Sequence, residues 1–379
     1  MKTSRSWQFL CGMIFFAAGI ATTAMGQAQA PAAPDTKAAM QRGFDWLQAQ
    51  QKANGSWSDE NYPALTALGL WAFANGDSPA RTAVCARAAA FIAGFVQEDG
   101  GIYKKPSFWR RGGLSVYNTA ICMTALHAYD RQRYASVILK ARTFIATNQF
   151  QGASAGSNAG GFGYDRPGAG MRSRADLSNT GWALMAMRAT QGLEDQRASS
   201  EKHADVDWAA AASFASKLQN QDATDTAHYG GFGYNSVNER GSPANNHSGA
   251  TKLVDYGSMT YAGLESMLYA QVSADDPRVR SAIAWAARHW SVTENPGQGS
   301  KGLYYYYTIM AKALALAGSD NLPAGSGRAI AWRNDLATQL LKTQQADGSW
   351  RNEDNTFWEN DPALVTSYVL LALEKCAAK

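Results

Sequence analysis

Two aspartates stand where an acid could work. Asp255 lies in Lys252-Leu-Val-Asp255-Tyr-Gly257-Ser, and Asp176 precedes Leu177-Ser-Asn-Thr180. Each opens a segment almost free of charge. A carboxylic acid in apolar surroundings has a raised pKa and can stay protonated near neutral pH, which suits it to donate a proton. Either residue can instead cap the helix that follows it. Asp361-Pro362 is the plainest helix start, with proline at the first helical position. The run Tyr304-Tyr-Tyr-Tyr307 spreads around most of a helical turn, and Tyr304 and Tyr307 share a side. Their π faces, and those of Trp182, Trp71 and Tyr261, can stabilise a cation, or the rings can simply pack between helices.

A second chemistry is anion binding. Lys104, Lys105, Arg110 and Arg111, then Arg166, Arg172 and Arg174, then Arg240 and Lys252 fall in three long polar stretches. Asp59, Glu60, Glu353, Asp354, Glu359 and Asp361 fall near the two ends of the chain. If the ends meet, a basic arc faces an acidic one across a common mouth, and a diphosphate or another anion suits the basic side. The catalytic candidates are therefore Asp255, Asp176 and Tyr307. The ligand-binding candidates are Arg166, Arg172, Arg174, Lys252, Tyr304 and Trp182. The histidines His127, His203, His228, His247 and His289 are scattered, and no G-x-S-x-G, P-loop, dinucleotide or H-E-x-x-H motif occurs. Neither a metal nor a cofactor is expected.

The elements that must position these residues come from a repeat. Gly160–Tyr164 and Gly230–Tyr234 both read GGFGY, and related strings are Gln51-Lys-Ala-Asn-Gly55-Ser-Trp57, Gln97-Glu-Asp-Gly100-Gly-Ile-Tyr103, Gly302-Leu-Tyr304 and Gln344-Gln-Ala-Asp-Gly348-Ser-Trp350. Before each lies an amphipathic segment such as MQRGFDWLQAQQ, and after each a nearly uncharged one such as ALTALGLWAFA. The first kind reads as a surface helix and the second as a buried one. Six pairs of outer and inner helices bury their inner faces best as a closed ring. The expected fold is all-α, an (α/α)6 toroid of six helix-pair repeats with a central cavity. Glycine is expected to end each outer helix, where a positive φ is needed. The turn aromatics are expected to fill the joints, not to line the cavity.

The N-terminus carries Lys2 and Arg5, an apolar run, then small residues ending near Gly26. Residues 1–26 read as a secretory signal peptide, 27–37 as a linker and 38–379 as one domain. The expected location is periplasmic or extracellular. After cleavage no second apolar span remains, so the mature chain is not expected to be an integral membrane protein. Losing Lys2 and Arg5 lowers the formal net charge from +4 to +2, which gives no argument for nucleic acid. Cys85, Cys122 and Cys376 are unclustered and read as buried small hydrophobes.

The Q-x-x-x-G-x-W strings, the GGFGY turns and the helix-pair period together resemble the squalene–hopene cyclase and protein prenyltransferase superfamily, over nearly all of Ala38–Cys376. Cyclases of that kind carry D-x-D-D-T-A, whose central Asp protonates a polyene. The nearest string here, Asp222-Ala-Thr-Asp225-Thr-Ala227, lacks the paired acids. Protein prenyltransferase β subunits carry K-L-V-D-x-C, in which Asp and Cys bind zinc, with a later Y-H-T. Asp255 falls on the zinc Asp, Gly257 on the Cys and Tyr307 on the His. One carboxylate cannot hold a tetrahedral zinc site. The resemblance implies an apolar cavity for a lipid, an isoprenoid or a partner protein. The alternatives are a terpene-cyclase-like isomerase with Asp255 as acid and a polysaccharide-active enzyme, which would need two carboxylates brought together.

Overall fold

Helices that are apolar on every side have to be surrounded by protein. In the computed structural model, which describes residues 34–106, 113–169, 174–235, 253–323 and 329–377, the uncharged segments are the inner wall of a ring. The pairs run in chain order. They are α1 (Lys37–Gln50) and α2 (Pro63–Asn75), α3 (Arg81–Ala93) and α4 (Ser115–Asp130), then α5 (Ala135–Thr147) and α6 (Leu177–Ala189). After the short α7 (Gln191–Glu194) come α8 (Trp208–Lys217) and α9 (Gly257–Tyr269), α10 (Pro277–Arg288) and α11 (Leu303–Leu316), and α12 (Trp332–Thr343) and α13 (Pro362–Ala377). Each inner helix packs on the one before and the one after, and α13 returns to α2. The ring is closed, and the fold is the (α/α)6 toroid the repeats imply. Residues 1–26, the expected signal peptide, lie outside the described residues. Among the described residues no helix is long and apolar enough to cross a membrane.

Five of the six turn glycines do a job that differs from the one expected. Gly55, Gly100, Gly160, Gly230 and Gly348 have φ between +88° and +95°. They lie several residues beyond the helix caps, in the turn itself. There each backbone presses on the outer helix of the next repeat. A Cβ would stand 2.0–2.7 Å from the carbonyl oxygen of Arg87, Lys140, Ala210, Ser281 and Arg42 respectively. Only glycine fits both the angle and the gap. Gly348 against Arg42 of α1 is the seam that shuts the ring.

The glutamines clamp the same joints. Gln51, Gln149, Gln219 and Gln344 each donate from Nε2 to the carbonyl of their own turn glycine and to a carbonyl at the start of the next outer helix. In the fourth repeat the residue is Gln219, two positions after the end of α8. A threonine in the first turns of five inner helices, Thr66, Thr119, Thr180, Thr260 and Thr366, accepts the backbone N–H of the turn residue at 57, 102, 162, 232 and 350. Trp57 and Trp350 fill the joint and donate to Leu47 and Leu340. Burying each such side chain contributes about 2–3 kcal/mol. The fifth repeat departs from the pattern. Gly302 (φ +60°) is the N-cap of α11 instead of a turn after α10, and Thr308 donates to the Tyr304 and Tyr368 carbonyls.

Inner-helix N-termini carry free N–H groups that need partners. The following repeat supplies them for five helices. Asn118 caps α2, Asp165 and the Tyr164 carbonyl cap α4, the Tyr234 carbonyl caps α6, Asn295 and the Pro296 carbonyl cap α9, and Glu359 caps α11. Asp361 caps its own helix, α13. This cross-repeat capping fixes the inner N-termini around one opening.

Candidate functional site

All six inner helices present their first two turns to a cavity of about 610 Å³. Tyr62 and Leu65 come from the start of α2, Leu114 and Tyr117 from α4, and Asp176, Ser178 and Trp182 from α6. Tyr256, Ser258 and Met259 come from α9, Gly302 and Tyr305 from α11, and Leu364 and Tyr368 from α13. The turns and loops add Tyr164, Tyr234, Arg174, Asn235, Asn295, Gln298, Phe357 and Trp358. The wall is mostly apolar and rich in aromatic rings, with a polar sector at Arg174, Asn235, Asn295 and Gln298.

Asp176 is the carboxylate among the described lining residues, and it is 3% exposed. It is the N-cap of α6. One oxygen accepts the Asn179 backbone N–H at 2.8 Å and the other accepts Asn179 Nδ2 at 2.7 Å. Tyr164, Tyr234 and Tyr256 stand within reach of its charge. Burial pushes the Asp176 carboxyl up from its ordinary 3.8 to about 7, against the pull of the Asn179 donors. Tyr164, Tyr234 and Tyr256 are pushed well above the usual phenol range, mainly by burial and then by the Asp176 charge. Around neutral pH the site therefore holds one exchangeable acid amid neutral phenols.

The rest of the wall includes a run of rings. Tyr305 lies 6.4 Å from Trp182 and 6.2 Å from Tyr368, centroid to centroid, and Tyr117 lies 5.7 Å from Tyr164. The Tyr305 and Ser178 hydroxyls are 2.8 Å apart. Behind Trp182, the Lys312 ammonium stands 4.1 Å from the ring centroid and 3.1 Å from Glu265 in a fully buried pair.

The other sequence candidates fall elsewhere. Asp255 is buried but does not line the cavity. It accepts from Asn220 (2.9 Å) and Trp285 (2.7 Å) and faces His228 Nδ1 at 2.6 Å, pinning the second GGFGY turn to α10. Nor does it cap α9, whose N-cap is Tyr256 without a side-chain bond. Both expected roles of Asp255 are thus corrected, because its side chain faces the outer joint. Tyr307 donates to the Val292 carbonyl and the Tyr304 ring packs edge-on against Tyr307, and neither ring is among those that line the cavity. The ring of that run that reaches the cavity is Tyr305. Trp182 and Arg174 do line the cavity. Arg166 is exposed and sits 3.9 Å from Asp99. Arg172 and Lys252 lie outside the described residues.

The turn aromatics divide. Phe162 and Phe232 are buried in the joints as expected, whereas Tyr164 and Tyr234, at the ends of the two pentapeptides, line the cavity. Their shared position in two copies was the available signal. The expected acidic arc also dissolves locally. Glu359 and Asp361 turn in as helix caps, Glu60 pairs with Lys52, and Asp354 accepts from Thr356. Cys85, Cys122 and Cys376 are free thiols.

No family model and no curated protein sequence matches the chain. Solved structures do. A variant of the type II terpene cyclase MstE from Scytonema, in complex with its substrate geranylgeranyl dihydroxybenzoate, is similar at TM-score 0.54 and 13% identity, over 90% of this chain and 96% of that one. Candida albicans protein geranylgeranyltransferase-I, complexed with GGPP, is similar at TM-score 0.52 and 12% identity, over 89% and 90%. A family 76 glycoside hydrolase from a bovine Bacteroides thetaiotaomicron strain is similar at TM-score 0.56 and 12% identity, over 88% and 78%. The chain therefore has the α/α-toroid fold that terpene cyclases and protein prenyltransferases use. At these identities the likeness speaks for the fold alone, and function rests on the site.

Proposed function

We propose that the chain binds an apolar, unsaturated molecule of isoprenoid type in its central cavity, and that Asp176 donates a proton to it. The observation that carries this reading is the buried Asp176 carboxyl, the one carboxylate among the described lining residues, in a wall rich in aromatic rings. Protonated Asp176 gives its proton to one carbon of a double bond. The π electrons form the new C–H bond, and the other carbon is left cationic. The rings of Trp182, Tyr305, Tyr117 and Tyr368 offer π faces to that cation. The Asp176 carboxylate left behind keeps charge-assisted bonds from the Asn179 backbone N–H and side-chain amide. The cation ends by closing on a second double bond and losing a proton, so the net change is an isomerisation.

The type II terpene cyclase among the structural neighbours, with its geranylgeranyl substrate, supports the ligand class. A glycosidase reading needs two carboxylates facing one bond. Glu359 and Asp361 are committed to capping α11 and α13, which favours the isoprenoid reading. Export belongs to the same proposal and is supported by the charge, apolar run and small residues of the first 26 positions. Incubation of the purified chain with squalene, geranylgeraniol and geranylgeranyl diphosphate, followed by mass spectrometry, tests it. Conversion of at least one by the wild type and loss of conversion in Asp176→Asn are expected. Equal conversion by Asp176→Asn would remove the role assigned to that residue.

A further inference from the structure

Backbone strain is concentrated at the cavity. Five non-glycine residues among those described have left-handed angles, and three of them, Leu114, Phe357 and Trp358, line it. Phe357 (φ +60°) and Trp358 (φ +66°) are consecutive. Bulky side chains at such angles are outliers. They persist where the surroundings over-determine them, most often at ligand sites.

The bracing is on view. Asp361 N–H donates to the Trp358 carbonyl (2.9 Å), Asn352 N–H donates to the Glu359 carbonyl (2.9 Å), and Glu359 is itself tied to the start of α11. The Trp358 ring meets Tyr62 edge-on at 5.0 Å. The Phe357 ring lies against Gly302, where a Cβ would come within 3.3 Å of it. The loop of the sixth repeat thus reaches the fifth at Gly302 and the first at Tyr62. Yet Phe357 is 47% exposed and Trp358 41% exposed. Core packing does not explain a strained pair whose rings stay half in water.

We propose that Phe357 and Trp358 form a binding platform at the cavity mouth, which stacks on a flat, unsaturated segment of an apolar ligand. This takes its ligand class from the proposed function, but it requires no chemistry at Asp176. The platform would hold the outer end of a molecule whose inner end lies against Trp182 and Tyr305.

Glycine accepts φ +60° freely, and Asn tolerates it. The test therefore uses Phe357→Gly, Phe357→Asn and Trp358→Gly in the full chain. Two readouts are taken, melting temperature and affinity for the apolar dye 1-anilinonaphthalene-8-sulfonate, with geranylgeraniol as competitor. For Phe357→Gly, an unchanged or higher melting temperature and about tenfold weaker dye binding are expected. Unchanged dye affinity in the glycine variants overturns the platform. So does weaker binding accompanied by a lower melting temperature in both Phe357 variants, since the ring then serves the fold. A wild type that binds dye but not geranylgeraniol defeats the isoprenoid reading alone, and the variants' dye affinities still decide the platform. A wild type that binds neither overturns both.

Discussion

Asp176→Asn should make the protein more stable at alkaline pH and slightly less stable at acid pH. The folded-state carboxyl is pushed up from 3.8 to about 7. At 1.36 kcal/mol per pKa unit this corresponds to about 4 kcal/mol. The sign follows from proton counting. Below pH 4 the group is protonated in both states and contributes nothing. Between pH 4 and 7 the unfolded chain ionises first and binds fewer protons, so stability falls as pH rises. Above pH 7 the folded state carries the full penalty. Asn has the same size and no charge, so the variant escapes it, less about 1 kcal/mol for rearranging the two Asn179 bonds. Urea unfolding at pH 4, 6 and 8, followed by tryptophan fluorescence, reads the difference directly. The variant's advantage is expected to grow from about −1 kcal/mol at pH 4 to about 3 kcal/mol at pH 8. Glu359, which burial also pushes up to about 7, gives the wild type a second slope, and Glu359→Gln separates the two. A variant no more stable than wild type at pH 8, or an advantage equal at all three pH values, would refute the reasoning.

Three further outcomes follow from the packing. Gly348→Ala places a methyl 2.7 Å from the Arg42 carbonyl at φ +95°, so it should loosen the closing seam and destabilise by about 2–4 kcal/mol in chemical denaturation. Glu265→Leu alone should cost about 3–5 kcal/mol by stranding the buried Lys312, whereas the double variant with Lys312→Met should recover most of that, as a double-mutant cycle will show. Asp255→Asn should weaken the His228, Asn220 and Trp285 clamp and lower stability by about 2 kcal/mol, while ligand affinity per folded molecule stays constant.

The ring was legible because its signals are local and repeated. Charge-free segments mark the inner helices, and glycine with an aromatic marks each joint. What escaped was the direction in which single side chains point. Asp255 and Asp176 look alike in sequence, as acids before an uncharged helix. Their positions relative to the turns differ by one residue. Asp176 bridges Phe162, whereas in the fourth repeat Tyr256 lies against Phe232 and Asp255 pairs with Gly233. That single step puts one acid in the cavity and the other in the outer joint. The four tyrosines show the same limit. Tyr304 and Tyr307 share a side, but the side is the outer one, and of the two rings between them Tyr305 alone lines the cavity. The fifth repeat's glycine was misread as a joint because Gly-Leu-Tyr there begins a helix instead of following one.

The central claim is that Asp176 gives a proton to carbon. Incubating the chain with an accepted polyprenoid in deuterated water, and analysing the product by mass spectrometry and NMR, tests it most directly. The account predicts a product carrying a carbon-bound deuterium, formed by wild type and by Asp255→Asn, absent with Asp176→Asn, and formed more slowly as pH rises through about 7. Deuterium entering carbon at the same rate in Asp176→Asn would contradict it, as would a product that carries none.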